Sequence, residues 1–286
     1  SLFIDRGLRA VNSEGLDRMY DINDLKRVME RLRDPQHGCP WDLAQTYQSI
    51  APFTLEECLE LVDALEQADI EHVEEELGDL LFQVVFYAQL GREDGQFDFD
   101  SVVAGITQKL IRRHPHVFHE GKLEGVVHDK TTLEDIKRNW ESAKATERLA
   151  RAQHSVMDDV PSTLSALARA QKLQKRASGV GFDFDTLQAI SLKLTEELGE
   201  LSGAIELGAI QEIESELGDV LFTVVNMARH LKVDSEAALR KANRRFETRV
   251  RTAEGDALAD GSRLDEENIQ RLDARWQEAK RKERSR

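Results

Sequence analysis

Only two cysteines, Cys39 and Cys58, occur in 286 residues, too few for a disulfide framework and in keeping with a reducing cytoplasm. Long hydrophobic runs are missing too. The longest apolar stretch, around residues 77–90, is interrupted by Asp79, Gln83 and Gln89, and it falls short of the roughly 20 residues that cross a bilayer. No signal peptide is legible. Nor is there a basic surplus: 39 Lys and Arg against 54 Asp and Glu give a net charge of −15. That balance argues against a nucleic-acid-binding or anionic-membrane surface and suits a site that holds cations. Strand signals are confined to a few β-branched pairs inside helical stripes, so the fold is expected to be all-α. The length suits two domains of roughly 130 residues.

What the chain does have is a repeat. Glu56-Glu57, Glu60, Glu76-Leu77-Gly78-Asp79 and the apolar run 80–85 return 140 residues later as Glu196-Glu197, Glu200, Glu216-Leu217-Gly218-Asp219 and the run 220–225. Sixteen of the thirty positions from 56 to 85 are identical to their partners, without a gap. At a second offset, 136, Lys109 recurs as Arg245, Arg113 as Arg249, Trp140 as Trp276 and Lys144 as Lys280.

Periodicity gives each copy its elements. Ile22, Leu25, Val28, Met29 and Leu32 predict a helix over 21–33, broken by the Pro- and Gly-containing 34–40, with Trp41-Asp42 at the exit. Leu55, Leu59, Val62 and Leu65 stripe one following helix; Leu77, Leu80, Leu81, Val84, Val85 and Ala88 stripe the next. A polar connection over 66–72 makes them antiparallel neighbours. Phe82, Phe86 and Tyr87 extend the apolar surface beyond one bundle's needs and predict a subunit or domain interface. A helix over 101–113 stops at His114-Pro115-His116, residues 119–130 read as loop, and 131–144 as helix. The second half repeats the plan, with a helix over 164–176 and a loop over 179–184. The division is therefore a loose tail 1–20, a first domain 21–148, a linker 149–160 and a second domain 161–286.

Glu57 with Glu60, and Glu76 with Asp79, stand at i, i+3, which puts each pair on one helix face, opposite the stripe. Facing helices then aim both pairs at one space, where carboxylates repel unless a cation sits between them. Mg²⁺ takes a few carboxylates plus water and substrate phosphate, and one or two ions suit phosphoryl chemistry. Acidic residues opposite an apolar stripe are also what any solvated helix shows. Against that, the inter-helix turn has drifted (67–69 against 207–209) while every carboxylate of both pairs is retained. The spacing of His114, His116 and His119 suits a helix end and a Pro-led turn better than a metal cluster.

The pattern E-x-x-E, about 15 residues, E-x-x-D, with ELGDLLF and ELGDVLF, resembles the MazG family. GCPWD at 38–42, RRHPHVF at 112–118 and VGFDF at 180–184 support the likeness, which runs from about residue 20 to 286. The resemblance implies two tandem MazG-like four-helix-type domains with helices packed across a homodimer interface. It also implies Mg²⁺-dependent cleavage of a nucleoside triphosphate to monophosphate and pyrophosphate, with Mn²⁺ as a substitute ion. Carried over by position, Glu197, Glu200, Glu216 and Asp219 are the metal and catalytic carboxylates of the second half. Arg245, Arg249 and Lys280 bind phosphates there, and Trp276 packs on the nucleotide. The first-half counterparts are Glu57, Glu60, Glu76, Asp79, Lys109, Arg113, Trp140 and Lys144. Water attacks the α-phosphorus, the carboxylates hold the ions, and Arg and Lys neutralise the departing pyrophosphate. Aromatics at Trp276, Phe182 or Phe184 would stack on any base and favour broad base tolerance.

Both halves keep their carboxylates. The second is favoured because Lys241, Arg245 and Arg249 stay aligned on a helix that no proline ends. Competing readings are a non-catalytic nucleotide- and metal-binding regulatory dimer and a pyrophosphatase selective for one nucleotide. A di-metal oxidase is excluded by the lack of His three residues after Glu76 or Glu216.

Overall fold

The computed structural model of the chain describes residues 19–118, 121–124, 132–150 and 155–284, with the side chains of 137, 141 and 144–150 outside that description. Residues 1–18 of the expected 1–20 tail, His119, most of the 119–130 loop, part of the linker and the side chain of Lys144 thus lie outside the described residues. All regular structure among the described residues is helical. The chain divides into two compact units, Ser1–Ala143 and Lys144–Arg286.

In the first unit α1 (Ile22–Leu32) starts at an Asp21 capping box, the Asp21 and Asp24 carboxylates satisfying end N–H groups that the helix cannot. A short α2 (Pro40–Leu43) leaves the loop with Pro at its first turn, where a missing N–H costs nothing. The long pair α3 (Tyr47–Gln67) and α4 (Ile70–Glu93) is joined by Ala68 and Asp69 alone, tighter than the polarity of 66–72 suggests. Next come α5 (Phe99–Arg113), ended by His114-Pro115, and α6 (Leu133–Ala150), which runs into the first positions of the expected linker. α1 and α5 both pack on α4.

The second unit repeats this as α7 (Ala166–Ser178), the pair α8 (Leu187–Leu207) and α9 (Ile210–His230), then α10 (Ser235–Ala259) and α11 (Ile269–Arg284). α7 and α10 pack on α9, and α11 lies along α10.

The apolar faces are distributed differently from the stripe expectation. The first-unit core is Met29, Ile50, Val85, Phe86 and Leu90, with Phe82 and Tyr87 packed against it. Phe86 is fully buried, so the residues expected at an interface belong largely to the core. Leu55, Leu59, Leu65, Leu77, Leu81 and Val84 are exposed instead. A helical stripe records which residues share a face; it carries no information on whether that face meets the chain's own core or something else.

Candidate functional site

The α3–α4 pair turns its acidic positions inward. One carboxylate oxygen each of Glu57, Glu76 and Asp79 lies within 4.8 Å of the others. Glu60 stands outside this trio, yet its charge acts on both Glu57 and Glu76. In the second unit the corresponding trio is Glu197, Glu200 and Glu216, again within 4.8 Å. Asp219 is exposed and outside it. The halves thus gather different three-member subsets of the same four positions.

Electrostatics follow from the convergence. Burial, then the charges of Asp79, Glu60 and Glu76, pushes the Glu57 carboxyl up to about 7. Burial and Glu60 also raise Glu76, with His72 working against them. Asp79 is raised by burial and by Glu75. Glu200 is raised by burial and by its neighbours Glu197 and Glu216. Glu76 is nearly buried: His72 Nε2 stands 3.2 Å from its Oε1, while Oε2 is enclosed without a hydrogen-bond partner. A buried, unpartnered carboxylate oxygen among raised carboxyls is a donor set suited to a hard divalent cation.

Two basic partners escaped the sequence reading. Lys193 Nζ lies 2.8 Å from Glu196 Oε1 and 2.9 Å from Glu197 Oε1, and these hydrogen bonds raise its own pKa. His72 plays the counterpart on Glu76. Both are i, i+4 neighbours of a site carboxylate, a spacing legible in advance. At the position of Lys193 the first half has Phe53, which meets Trp41 edge-on at 5.9 Å. The loop aromatic is therefore packed inward in the first unit, whereas Phe182 is 82% exposed in the second. Asp183, next to it, accepts from Arg229 and lies 3.1 Å from His230 Nε2, which ties the loop to the end of α9.

The basic and aromatic positions gather on the other helix pair. Arg249 lies over Trp276 at 5.3 Å and bonds Glu283 at 2.7 Å; Phe246 meets the same indole at 5.4 Å. Arg245 is exposed on α10, and Lys280 stands one turn beyond Trp276 on α11. In the first unit Arg113 covers Trp140 at 5.4 Å and His114 meets it edge-on at 5.0 Å. Lys109 stands one turn before Arg113 on α5. His114 is thus part of an aromatic stack, and neither it nor His116 belongs to an acidic trio.

A family model described as the MazG nucleotide pyrophosphohydrolase domain matches residues 45–118 and again 185–252. These spans contain both acidic trios. The chain is 45% identical over 267 residues to a nucleoside triphosphate pyrophosphohydrolase of Escherichia coli strain K12, covering 93% of this chain and 99% of that protein. It is 41% identical over 259 residues to a nucleoside triphosphate pyrophosphohydrolase/pyrophosphatase of Thermotoga maritima, covering 91% and 95%. A Mycobacterium tuberculosis nucleoside triphosphate pyrophosphohydrolase matches at 37% over 61% of this chain and 50% of its own length.

Proposed function

Because the chain belongs to the MazG nucleotide pyrophosphohydrolase family and carries that domain twice, we propose that it hydrolyses nucleoside triphosphates to monophosphate and pyrophosphate, with Mg²⁺ as its ion. The observation that carries the reading is the acidic trio formed at matching helix pairs in both units. A divalent cation held by Glu197, Glu200 and Glu216, or by Glu57, Glu76 and Asp79, supplies positive charge at the phosphate oxygens and makes the attacking water easier to deprotonate. Glu60 and Asp219 complete the two acidic sets as nearby charge. A bond from water oxygen to the α-phosphorus forms as the bond to the bridging oxygen breaks, and the proton passes to a cluster carboxylate. Arg245, Arg249 and Lys280 neutralise the pyrophosphate, and Trp276 packs on the nucleoside. Lys109, Arg113, Trp140 and Lys144 hold the same roles in the first half.

The second half is the principal working half. Its phosphate-binding arginines, Arg245 and Arg249, lie on the uninterrupted 25-residue α10, whereas α5 ends at Arg113. Stacking on Trp276 or Phe182 has no base code, which supports broad base tolerance and a role in clearing unwanted nucleotides. The protein acts as a cytoplasmic homodimer, a reading supported by the low cysteine count and the exposed apolar stripes. Among the described residues no helix is long and apolar enough to cross a membrane.

Glu216→Ala and Glu76→Ala, assayed separately for pyrophosphate release with Mg²⁺ and a panel of nucleoside triphosphates, test the proposal. Glu216→Ala is expected to lower kcat by about two orders of magnitude, and Glu76→Ala by far less. The reverse ranking would overturn the choice of half. Nucleotide binding without turnover by the wild-type chain would favour a regulatory dimer.

A further inference from the structure

The most enclosed ion-pair network among the described residues of the second unit lies at the turn between α10 and α11, away from either trio in sequence. Arg275 and Glu267 keep only 9% and 1% of their side-chain surface exposed. Arg275 Nε and Nη2 grip the Glu267 carboxylate at 2.6–2.9 Å. Its Nη1 donates to Asp260 at 3.0 Å and its Nη2 to Ser262 Oγ at 3.3 Å. Ser262 Oγ also donates to Glu267 at 2.7 Å, and Arg271 lies 3.7 Å from it. One guanidinium thus joins three segments: the end of α10 at Asp260, the 3₁₀ turn Leu264–Glu266 with its cap Glu267, and α11 itself. The network holds Glu267 down at about 2.

Arg275 directly precedes Trp276. Its own helix line continues through Ala279, buried like Ala253 and Ala257 of α10, to Glu283, which Arg249 holds at the far end. The two helices are therefore closed at both ends over small buried residues, and the register of α11 sets where Trp276 and Lys280 stand relative to Arg249. The first half has Asn139 at the position of Arg275, Thr131 at that of Glu267 and Pro115 after its shorter α5.

We propose that Arg275 is a positioning residue for nucleotide binding: its clasp on Glu267, Asp260 and Ser262, which the first half lacks, fixes α11 so that the Trp276–Arg249–Lys280 platform exists before substrate arrives. This rests on the reading of α11 as a nucleotide-binding helix. A preformed platform lowers the ordering cost of binding, so its loss falls on KM and not on the chemical step. Removing Arg275 alone would strand a buried carboxylate, so the informative variant is Arg275→Met with Glu267→Met, a replacement that buried pairs often tolerate without loss of stability.

The full chain is assayed for pyrophosphate release with ATP and Mg²⁺, beside Arg275→Lys and Trp276→Ala. Separately, acrylamide quenching of Trp276 is read without nucleotide in a Trp41→Phe/Trp140→Phe background. In the double Met variant KM is expected to rise about tenfold with kcat within about twofold. Trp276 should become more readily quenched. Arg275→Lys, which keeps the charge but loses the fork, should fall between it and the wild type. Unchanged KM and quenching in the double Met variant, with KM raised by Trp276→Ala, would overturn the clasp and leave the platform standing. Unchanged KM in Trp276→Ala would remove the platform and the clasp with it. Should the double Met variant lose its helix content, Arg275→Lys decides: raised KM supports the clasp and wild-type KM overturns it.

Discussion

Glu57 illustrates what one residue can and cannot announce. Its i, i+3 partner Glu60 was legible in the repeat, whereas its closest associates, Glu76 and Asp79, come from the facing helix. The choice of three oxygens out of four depends on the rotation of α4 against α3, which no spacing encodes. The raised carboxyl has a measurable consequence. Burial and neighbouring charge lift it from 4.5 to about 7, so between these values the folded chain holds a proton that the unfolded chain has released. Stability of the cation-free protein should therefore fall as pH rises through that window and stay lower above it. A divalent cation bound by the trio would take the proton's place, so the Tm gain from Mg²⁺ should be larger at about pH 8 than at about pH 5.5. Glu57→Gln, which cannot ionise, should flatten its share of that difference in thermal melts. An equal Mg²⁺ gain at both pH values would count against the first-half trio as a cation site.

Among the elements, the repeat and helical periodicity made the α3–α4 and α8–α9 pairs legible, and the structure shortens their connections to two residues because of a left-handed cap. Ala68 ends α3 at φ 56°, and Gly208 ends α8 at φ 68°. Only glycine adopts that conformation without strain, so the two copies solve one geometry with unequal residues. A Cβ at Gly208 would meet nothing within 4 Å, which leaves backbone strain as the difference. Ala68→Gly should therefore stabilise, and Gly208→Ala destabilise, each by about 0.5–1 kcal/mol once the entropy of glycine in the unfolded chain is deducted. Urea unfolding followed by circular dichroism measures both. The clasp at Arg275 was beyond sequence reasoning for a related reason: its partners Asp260, Ser262 and Glu267 lie in a turn with no period to read.

For the whole molecule the decisive fact is which apolar residues face outward. Leu65, Ile70, Leu77, Leu81 and Val84 are exposed, and so are their repeat partners Ile205, Ile210, Leu217, Leu221 and Val224. Drift did act elsewhere on the outward faces: exposed Leu55 and Leu59 correspond to Thr195 and Gly199 in the repeat, and the inter-helix turn changed as well. Retention of apolar character at five matched outward positions is better explained by a cover, and a second copy of the chain supplies one of the same composition. Sequence periodicity located the stripe but gave the interface to Phe82, Phe86 and Tyr87, which pack in or against the core, since core and interface draw on the same residue types. A double variant, Leu81→Glu with Leu221→Glu, places charge at the middle of both stripes, where a single folded chain loses little because both positions are already half exposed. If the proposed homodimer is joined by these stripes, sedimentation of the variant should show the monomer mass where the wild type shows twice that mass, with helix content preserved and Tm no longer dependent on protein concentration. A variant that keeps the wild-type mass would show that these stripes are not what joins the copies.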